Sequence, residues 1–425
     1  MTTLDLAVIG AGPCGLAVGV AAKQQGLRAA LFDKGPLVAS LLKYPTYMTF
    51  FSTPEKLEIG GLPFTTAGDK PTRREALGYY RKVAEFYALD VRLYHAVTAF
   101  ERVSPGFELA VRGAGHAAPA RVRARHVVFA TGYFDSPNPL GVPGEELPHV
   151  SHFFTEAHPY WRQSVVVVGG GNSAVEAALE LHRVGARVTI VHFLGEFDRG
   201  VKPWVLPDIT NRVKDGSIAA RWLSRVVEIR PREVFVRSEA DGAAECLPAD
   251  FVLAMTGYRA DLSLLRMAGV TVDERTGVPQ HDPATMQTNV PGVFIAGVLA
   301  SGLDANRIFI ENGRAHGGLI CGYLKAQPPE LPLGGDRLPD TVRPRTRCER
   351  GEFLCRALRK GWDRCHLWQP GYLVYCSRPL GFAPRRRRRF ALDRAVLPRD
   401  SSKKGAPTVS RVTSARSRHR QRRFT

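Results

Sequence analysis

The sequence predicts an α/β protein in which one strand, glycine turn, helix, strand unit is used twice. Two observations carry that prediction. A glycine-rich turn follows a short apolar run at positions 10–15 and again at 169–174, and each copy is followed further on by an apolar strand that ends in Thr-Gly. With 425 residues, 44% of them hydrophobic, the chain is also long enough to bury more than one core.

The first copy opens with the apolar run 4–9 and continues as Gly10-Ala-Gly-Pro-Cys-Gly15, an Ala-rich stretch 16–25 that stops at Gly26, and a second run 28–32. Glycine after an apolar run, then helical periodicity, then glycine again, reads as strand, turn, helix and strand. From Ser164 the order returns as 165–168, Gly169-Gly-Gly-Asn-Ser-Ala174, 175–183, Gly185 and 187–191. Between the copies lie an apolar strand at 121–131, which runs into Ala130-Thr131-Gly132, and a Pro- and Gly-rich crossover linker at 136–144. The second Thr-Gly strand is 251–255, running into Thr256-Gly257-Tyr258, and a helix-like segment at about 305–325 closes the body.

The formal net charge of +19 suggests a nucleic acid or an anionic surface until it is divided along the chain. From Pro329 onward there are 25 basic and 8 acidic residues, net +17, which leaves +2 for the rest. The body is nearly neutral and the basicity belongs to a tail containing five consecutive arginines, 385–389. That tail lacks comparable periodicity and its aromatic interleaving is thin; it reads as a disordered extension or a frame-shifted end, with a nucleic-acid-binding arm as the alternative. There are seven cysteines, four of them in the tail (Cys348, Cys355, Cys365, Cys376), and no Cys-x-x-Cys pair. A disulfide scaffold is not expected, and a reducing cytoplasm is. No signal peptide and no membrane span are read in the chain.

Both glycine turns have the chemistry of a dinucleotide site in a Rossmann-like unit. Gly10 permits the tight turn, Gly12 lets the backbone approach a pyrophosphate, Gly15 lets the helix pack on the strand, and the helix N-terminus faces the phosphates. Asp33, at the end of the next strand, is placed to accept ribose hydroxyl hydrogen bonds. Pro13, Lys34, Val97, Ala130, Thr131 and Gly132 are expected around the same ligand. In the second unit Gly169, Gly171 and Ala174 take the three fingerprint positions, with Asn172, Ser173 and Gly257 beside them. Asp33 lies 23 positions after Gly10, whereas 23 positions after Gly169 lies His192. A carboxylate there would repel a 2′-phosphate; His192, Arg199 and Lys202 would attract one, so this site is expected to prefer NADPH to NADH.

In their order, the two glycine turns and the two Thr-Gly strand ends resemble the thioredoxin-reductase-like flavoproteins over residues 4 to about 325. The resemblance implies FAD in the first unit and an NADPH domain inserted into the FAD domain. The implied division is 1–145 and 281–328 for FAD, 146–280 for NADPH, and 329–425 for the tail. It also implies a homo-oligomer, and it places Gly297 and Ile308 beside the flavin. Two departures stand out: there is no Cys-x-x-Cys pair, and the usual Gly-Asp before the last helix is Gly297-Val298. Together with Cys14 inside the first turn and Ile308-Phe-Ile-Glu-Asn-Gly-Arg314, they are similar to the bacillithiol disulfide reductase branch. That branch implies electrons passing from NADPH through FAD to the disulfide of a small bacterial thiol, with no membrane partner.

Cys14 is the body cysteine that lies in a cofactor motif. A helix N-terminus lowers a thiol pKa and a nearby pyrophosphate raises it, so a redox thiol and a small buried filler both remain open. Lys43, Arg307 and Arg314 are candidate partners for carboxylates on the substrate. Cys246 and Cys321 read as structural. A flavin-dependent monooxygenase shares the two units, and the segment 151–161 resembles its linker fingerprint. The spacing fails there, since Thr155 stands where glycine is needed and His158 comes one place early after Phe153. A ferredoxin or flavodoxin reductase is a further alternative.

Overall fold

The computed structural model describes residues 3–115, 118–304 and 307–327; the tail from 329 onward lies outside the described residues. The first sheet contains β1 (Leu4–Ile9), β2 (Ala29–Phe32), β3 (Asp90–Arg92), β4 (His95–Arg102), β5 (Phe107–Gly113) and β6 (Ala120–Phe129), in the order β3-β2-β1-β6-β5-β4. Strand β6 is long enough to serve two sheet regions. Its first half pairs antiparallel with β5, and its second half lies parallel to β1. β7 (Val150–Ser151), β8 (Ser164–Val168), β9 (Arg187–Val191), β10 (Ala219–Arg221) and β14 (Phe251–Ala254) make a second, all-parallel sheet in the order β10-β9-β8-β14-β7. Every residue of β8 is buried, as a strand covered on both faces requires. β11 (Ser224–Arg230), β12 (Glu233–Ser238) and β13 (Ala244–Pro248) form a small antiparallel sheet. β15 (Val293–Ile295) returns to the first sheet and pairs with the second half of β6.

Helix α1 (Pro13–Gln24) starts three residues earlier than the periodicity marks, because Pro13 presets its first turn and needs no N–H partner there. Two four-residue helices, α2 (Ala39–Leu42) and α3 (Pro54–Leu57), lead to α4 (Arg73–Phe86), whose N-terminus is fixed by a capping box between Thr72 and Glu75. The second unit contributes α5 (Asn172–Arg183) and α6 (Leu206–Lys214), and α7 (Ser263–Met267) follows. Leu265 and Val270 lie in the first core, so the chain rejoins that core before position 281, where the boundary was expected. The closing helix is two helices, α8 (Ile310–Gly313) and α9 (His316–Ala326), not one. Gly317 lets α9 pack directly on α1; a Cβ there would stand 2.6 Å from the Ala17 carbonyl oxygen.

The two lobes are joined where the segments after β6 and β14 clasp each other. Asn138 N–H donates to Gly257 O at 3.0 Å and Arg259 N–H to Ser136 O at 2.8 Å. Asn138 Nδ2 donates to Thr256 O at 3.1 Å, and Thr256 Oγ1 donates to Asn138 O at 2.5 Å. Phe134, Phe153 and Tyr258 stack against this clasp, with centroids 4.1 Å apart for Phe134 and Tyr258 and 5.6 Å for Phe153 and Tyr258. Phe153 therefore packs between lobes. Asn138→Ala should lower the stability measured by chemical unfolding by about 1 kcal/mol, the net worth of one such hydrogen bond, while leaving the far-ultraviolet circular dichroism unchanged.

Candidate active site

Strands β1, β2, β6 and β15 run parallel, so their carboxyl ends open on one side of the sheet, where ligands of such sheets bind. Gly10, just past β1, has φ 110°, and a Cβ on it would stand 2.3 Å from the Ala130 carbonyl oxygen. Gly15 is equally confined, since its Cβ would meet Gly10 O at 2.1 Å. Gly12 differs, because nothing lies within 4 Å of its Cβ position and it caps α1 in extended conformation. The first turn of α1 contains no acidic residue and Gly12 has no capping side chain, which leaves the helix N-terminus available to an anion. Asp33 buttresses the turn: one carboxylate oxygen accepts from Ala11 N–H at 2.7 Å and the other from Gly35 N–H at 2.8 Å. Burial raises its pKa, against the lowering effect of those two bonds. Lys34 pairs with Asp135 at 2.9 Å.

In the second turn Gly169 has φ 132°, and its Cβ would stand 2.4 Å from Met255 O. Gly171 caps α5, and Ala174 is fully buried where the first unit has Gly15. The expectation for His192 is corrected here. Its ring lies beneath Gly170, 2% exposed, with Nε2 3.3 Å from Asp198 Oδ1. Burial lowers the imidazole pKa, outweighing the Asp198 carboxylate that raises it, so His192 presents no positive charge to a ligand. The Lys202 ammonium is engaged by protein groups: it lies over the Phe51 ring, 2.6 Å from the centroid, and 3.6 Å from Glu176. Arg199 is exposed. Gly257, with φ 81°, belongs to the clasp between lobes and not to the wall of the cavity.

A cavity of about 970 Å³ collects most of the remaining site residues, a size at the upper end of the range for ligand pockets. Its wall includes Gly10, Gly12, Pro13, Cys14, Asp33, Lys34, Val97, Ala130, Thr131, Gly132, Gly297 and Ile308, with Asn172, Ser173 and Lys202 from the second lobe. Cys14 Sγ fits only because two glycines face it. A Cβ on Gly313 would be 2.8 Å from Sγ and one on Gly297 would be 3.0 Å away. Burial pushes the Cys14 thiol up to about 12. Gly297 N–H donates to His316 Nδ1 at 3.1 Å, so that nitrogen is unprotonated; burial, with His281 nearby, lowers the His316 pKa.

Of the three cations considered for substrate carboxylates, Lys43 lines the cavity, 4.5 Å above the Phe153 ring. Arg314 is engaged with Glu58 O and Glu311 O, and Arg307 is exposed outside the wall. Cys321 is buried in α9 and Cys246 is exposed on β13. Much of the wall comes from the segment 39–52, including Tyr44 and Phe51, which the sequence analysis leaves unassigned except for Lys43. No glycine fingerprint or charge pattern marks it. Glu311, held by Ser52 Oγ at 2.5 Å and Lys56 at 3.4 Å, is a further wall residue. Among the described residues no cluster of His, Cys, Asp or Glu can hold a metal, and no helix is long and apolar enough to cross a membrane.

Two dinucleotide folds opening on one cavity, with a cysteine in its wall, define a dinucleotide-dependent oxidoreductase. The chain belongs to the pyridine nucleotide-disulphide oxidoreductase family, whose model matches residues 7–297. Bacilliredoxin reductase Bdr of Bacillus subtilis strain 168 is 45% identical over 320 residues, 75% of this chain and 96% of that protein. The structure of bacillithiol disulfide reductase Bdr (YpdA) from Bacillus cereus superposes with a TM-score of 0.74 at 41% identity, covering 76% of this chain and 99% of the other. Its counterpart from Staphylococcus aureus gives 0.72 at 37% identity, covering 77% and 100%.

The contrast between Gly10 and Gly12 is testable. Gly10→Ala combines a strained φ with a backbone clash and should destabilise the protein by ~3 kcal/mol in thermal or chemical unfolding. Gly12→Ala, facing open space, should unfold like the wild type.

Proposed function

We propose that the chain is an NADPH-dependent flavoprotein reductase that binds FAD in its first unit and reduces the disulfide of a low-molecular-weight thiol of the bacillithiol type. The observation that carries this reading is the position of Cys14. Its Sγ lies in the wall of the cavity into which β1, β2, β6 and β15 open, against Gly297 and Gly313. The names of the relatives, one for bacilliredoxin and two for bacillithiol disulfide, support a sulfur substrate. A lobe division near 145 and near 262, with the FAD lobe completed from both ends of the body, goes with this reading, since Leu265 already packs in the first core.

The first unit fits a flavin dinucleotide. The space beside Gly12 is open, the α1 N-terminus carries no acid, and Asp33 retains acceptor capacity beyond its two backbone bonds. Val97 lines the cavity beside an irregularity in the β4–β5 pairing. When bound, the flavin carries electrons between a hydride donor and a disulfide sulfur. The second unit fits NADPH through the backbone at Gly169 and Gly171, the first turn of α5 and the exposed Arg199, whose charge suits a 2′-phosphate.

The overall reaction consumes NADPH, one proton and one disulfide and gives NADP⁺ and two thiols. Burial, which pushes its pKa up to about 12, holds Cys14 as the neutral thiol at rest. The thiolate is the attacking form: as Sγ, its proton released, bonds to one sulfur of the disulfide, the S–S bond breaks and the departing thiolate takes up a proton. One thiol thereby leaves, and a mixed disulfide remains on Cys14. The two electrons of NADPH, with its hydrogen and one further proton, reduce that mixed disulfide, free the second thiol and restore Cys14. Lys43, at the cavity wall beside Phe153, is the cation placed to meet a carboxylate on the substrate.

The purified protein should be yellow and should oxidise NADPH when bacillithiol disulfide is supplied, in preference to ferredoxin, quinones or oxygen. Cys14→Ala should keep its flavin and lose disulfide-dependent NADPH oxidation by at least about a hundredfold; full activity in that variant would remove Cys14 from the chemistry. In protein stripped of flavin, alkylation of Cys14 by iodoacetamide, followed on its peptide by mass spectrometry, should accelerate about tenfold per pH unit through pH 10. A plateau below pH 9 would mean that the thiolate is already stabilised.

A further inference from the structure

The two glycine turns present opposite surfaces to a diphosphate. Beside Gly12 the space is open to 4 Å. Beside Gly171, the corresponding glycine, it holds the Asp198 carboxylate, with Oδ2 3.0 Å from where a Cβ would stand. The middle glycine of this motif is where the backbone approaches a pyrophosphate. An acidic side chain of the protein therefore stands where the phosphate charge of a ligand belongs.

The segment that carries Asp198 is fastened over the turn. Asp198 N–H donates to Gly170 O at 3.1 Å, Asn172 Nδ2 donates to Gly200 O at 2.9 Å, and Lys202 N–H donates to Asn172 Oδ1 at 3.0 Å. The carboxylate itself is held loosely. Among the described residues no amide of the first α5 turn donates to it; its near neighbour is His192 Nε2 at 3.3 Å, and its side chain is 44% exposed. We propose that residues 196–202 form a strap that closes the second dinucleotide site, with Asp198 as an internal substitute for the diphosphate, and that a pyridine dinucleotide binds only by turning Asp198 out. The strap rests on the reading of the second unit as a pyridine nucleotide site, and it makes occupancy of that site a competition between a ligand and the protein's own carboxylate.

The test is equilibrium binding of NADP⁺ to the flavin-loaded full chain, without any disulfide, in the wild type, Asp198→Asn and Asp198→Ala. Like charges about 4 Å apart near a protein surface shift an equilibrium by about tenfold or more. Both variants should therefore bind NADP⁺ about tenfold more tightly than the wild type, and the gain should shrink as salt is raised. Asp241→Asn, in the exposed β12–β13 turn, controls for net charge and should change nothing. Unchanged or weaker binding by both Asp198 variants, with flavin content and circular dichroism preserved, would overturn the strap and leave the nucleotide site standing. If neither the wild type nor the variants bind NADP⁺ or NAD⁺, the assignment of the second unit fails, and the strap with it.

Discussion

Backbone passing close to backbone is the constraint on which the molecule depends. At Gly10 and Gly15 the chain after β1 crosses Ala130 and then folds back on itself, with no room for a Cβ at either point. At Gly169 the second unit does the same against Met255. These crossings bring the end of one strand, the start of a helix and the end of a neighbouring strand into one place. A pocket floor made of main chain can then form at the edge of each sheet. The same rule operates once more at Gly297 and Gly313, where the absent side chains leave the volume that Cys14 Sγ occupies.

Those crossings are also why so much was legible in the sequence. A glycine required by sterics is visible as a letter, and so are the apolar runs of β1, β6, β8, β9 and β14 that lead into or flank the turns. Alternating contacts are less visible. The three-stranded sheet β11–β13 and the helix α4 were not anticipated, although the Thr72-x-x-Glu75 box is present in the sequence as a helix start signal. In the site, Gly257 and the side chains of His192 and Lys202 lie elsewhere than the sequence led one to expect. His192 occupies the position that the 23-residue offset indicates, yet its ring points inward under Gly170, and Lys202 reaches the other lobe. The number of residues from a glycine fixes where a Cα lies and says nothing about the rotamer. The wall built from 39–52 was missed because its contribution comes from tertiary packing of unpatterned residues such as Tyr44 and Phe51.

Burial suppresses ionisation at several groups in and near the cavity. Cys14, Tyr44 and Tyr258 all have their acidity suppressed by desolvation as the leading cause, and His316 loses basicity for the same reason. The neutral forms of these four groups are favoured. Lys34, Lys43 and Lys202 at the wall supply the nearby positive charge, and Lys34 is already paired with Asp135.

The pairing of β15 with the second half of β6 has a consequence for biosynthesis. Both glycine turns and both helices that start from them emerge from the ribosome while residues 293–313 are still untranslated. The first sheet then lacks its seventh strand, and Cys14 lacks the two glycines that enclose it. A nascent chain can therefore complete the second lobe, whose strands all lie between 150 and 254, before the first one. The lobe that begins the protein is the last to be finished, and its pocket is sealed by the final tenth of the described residues.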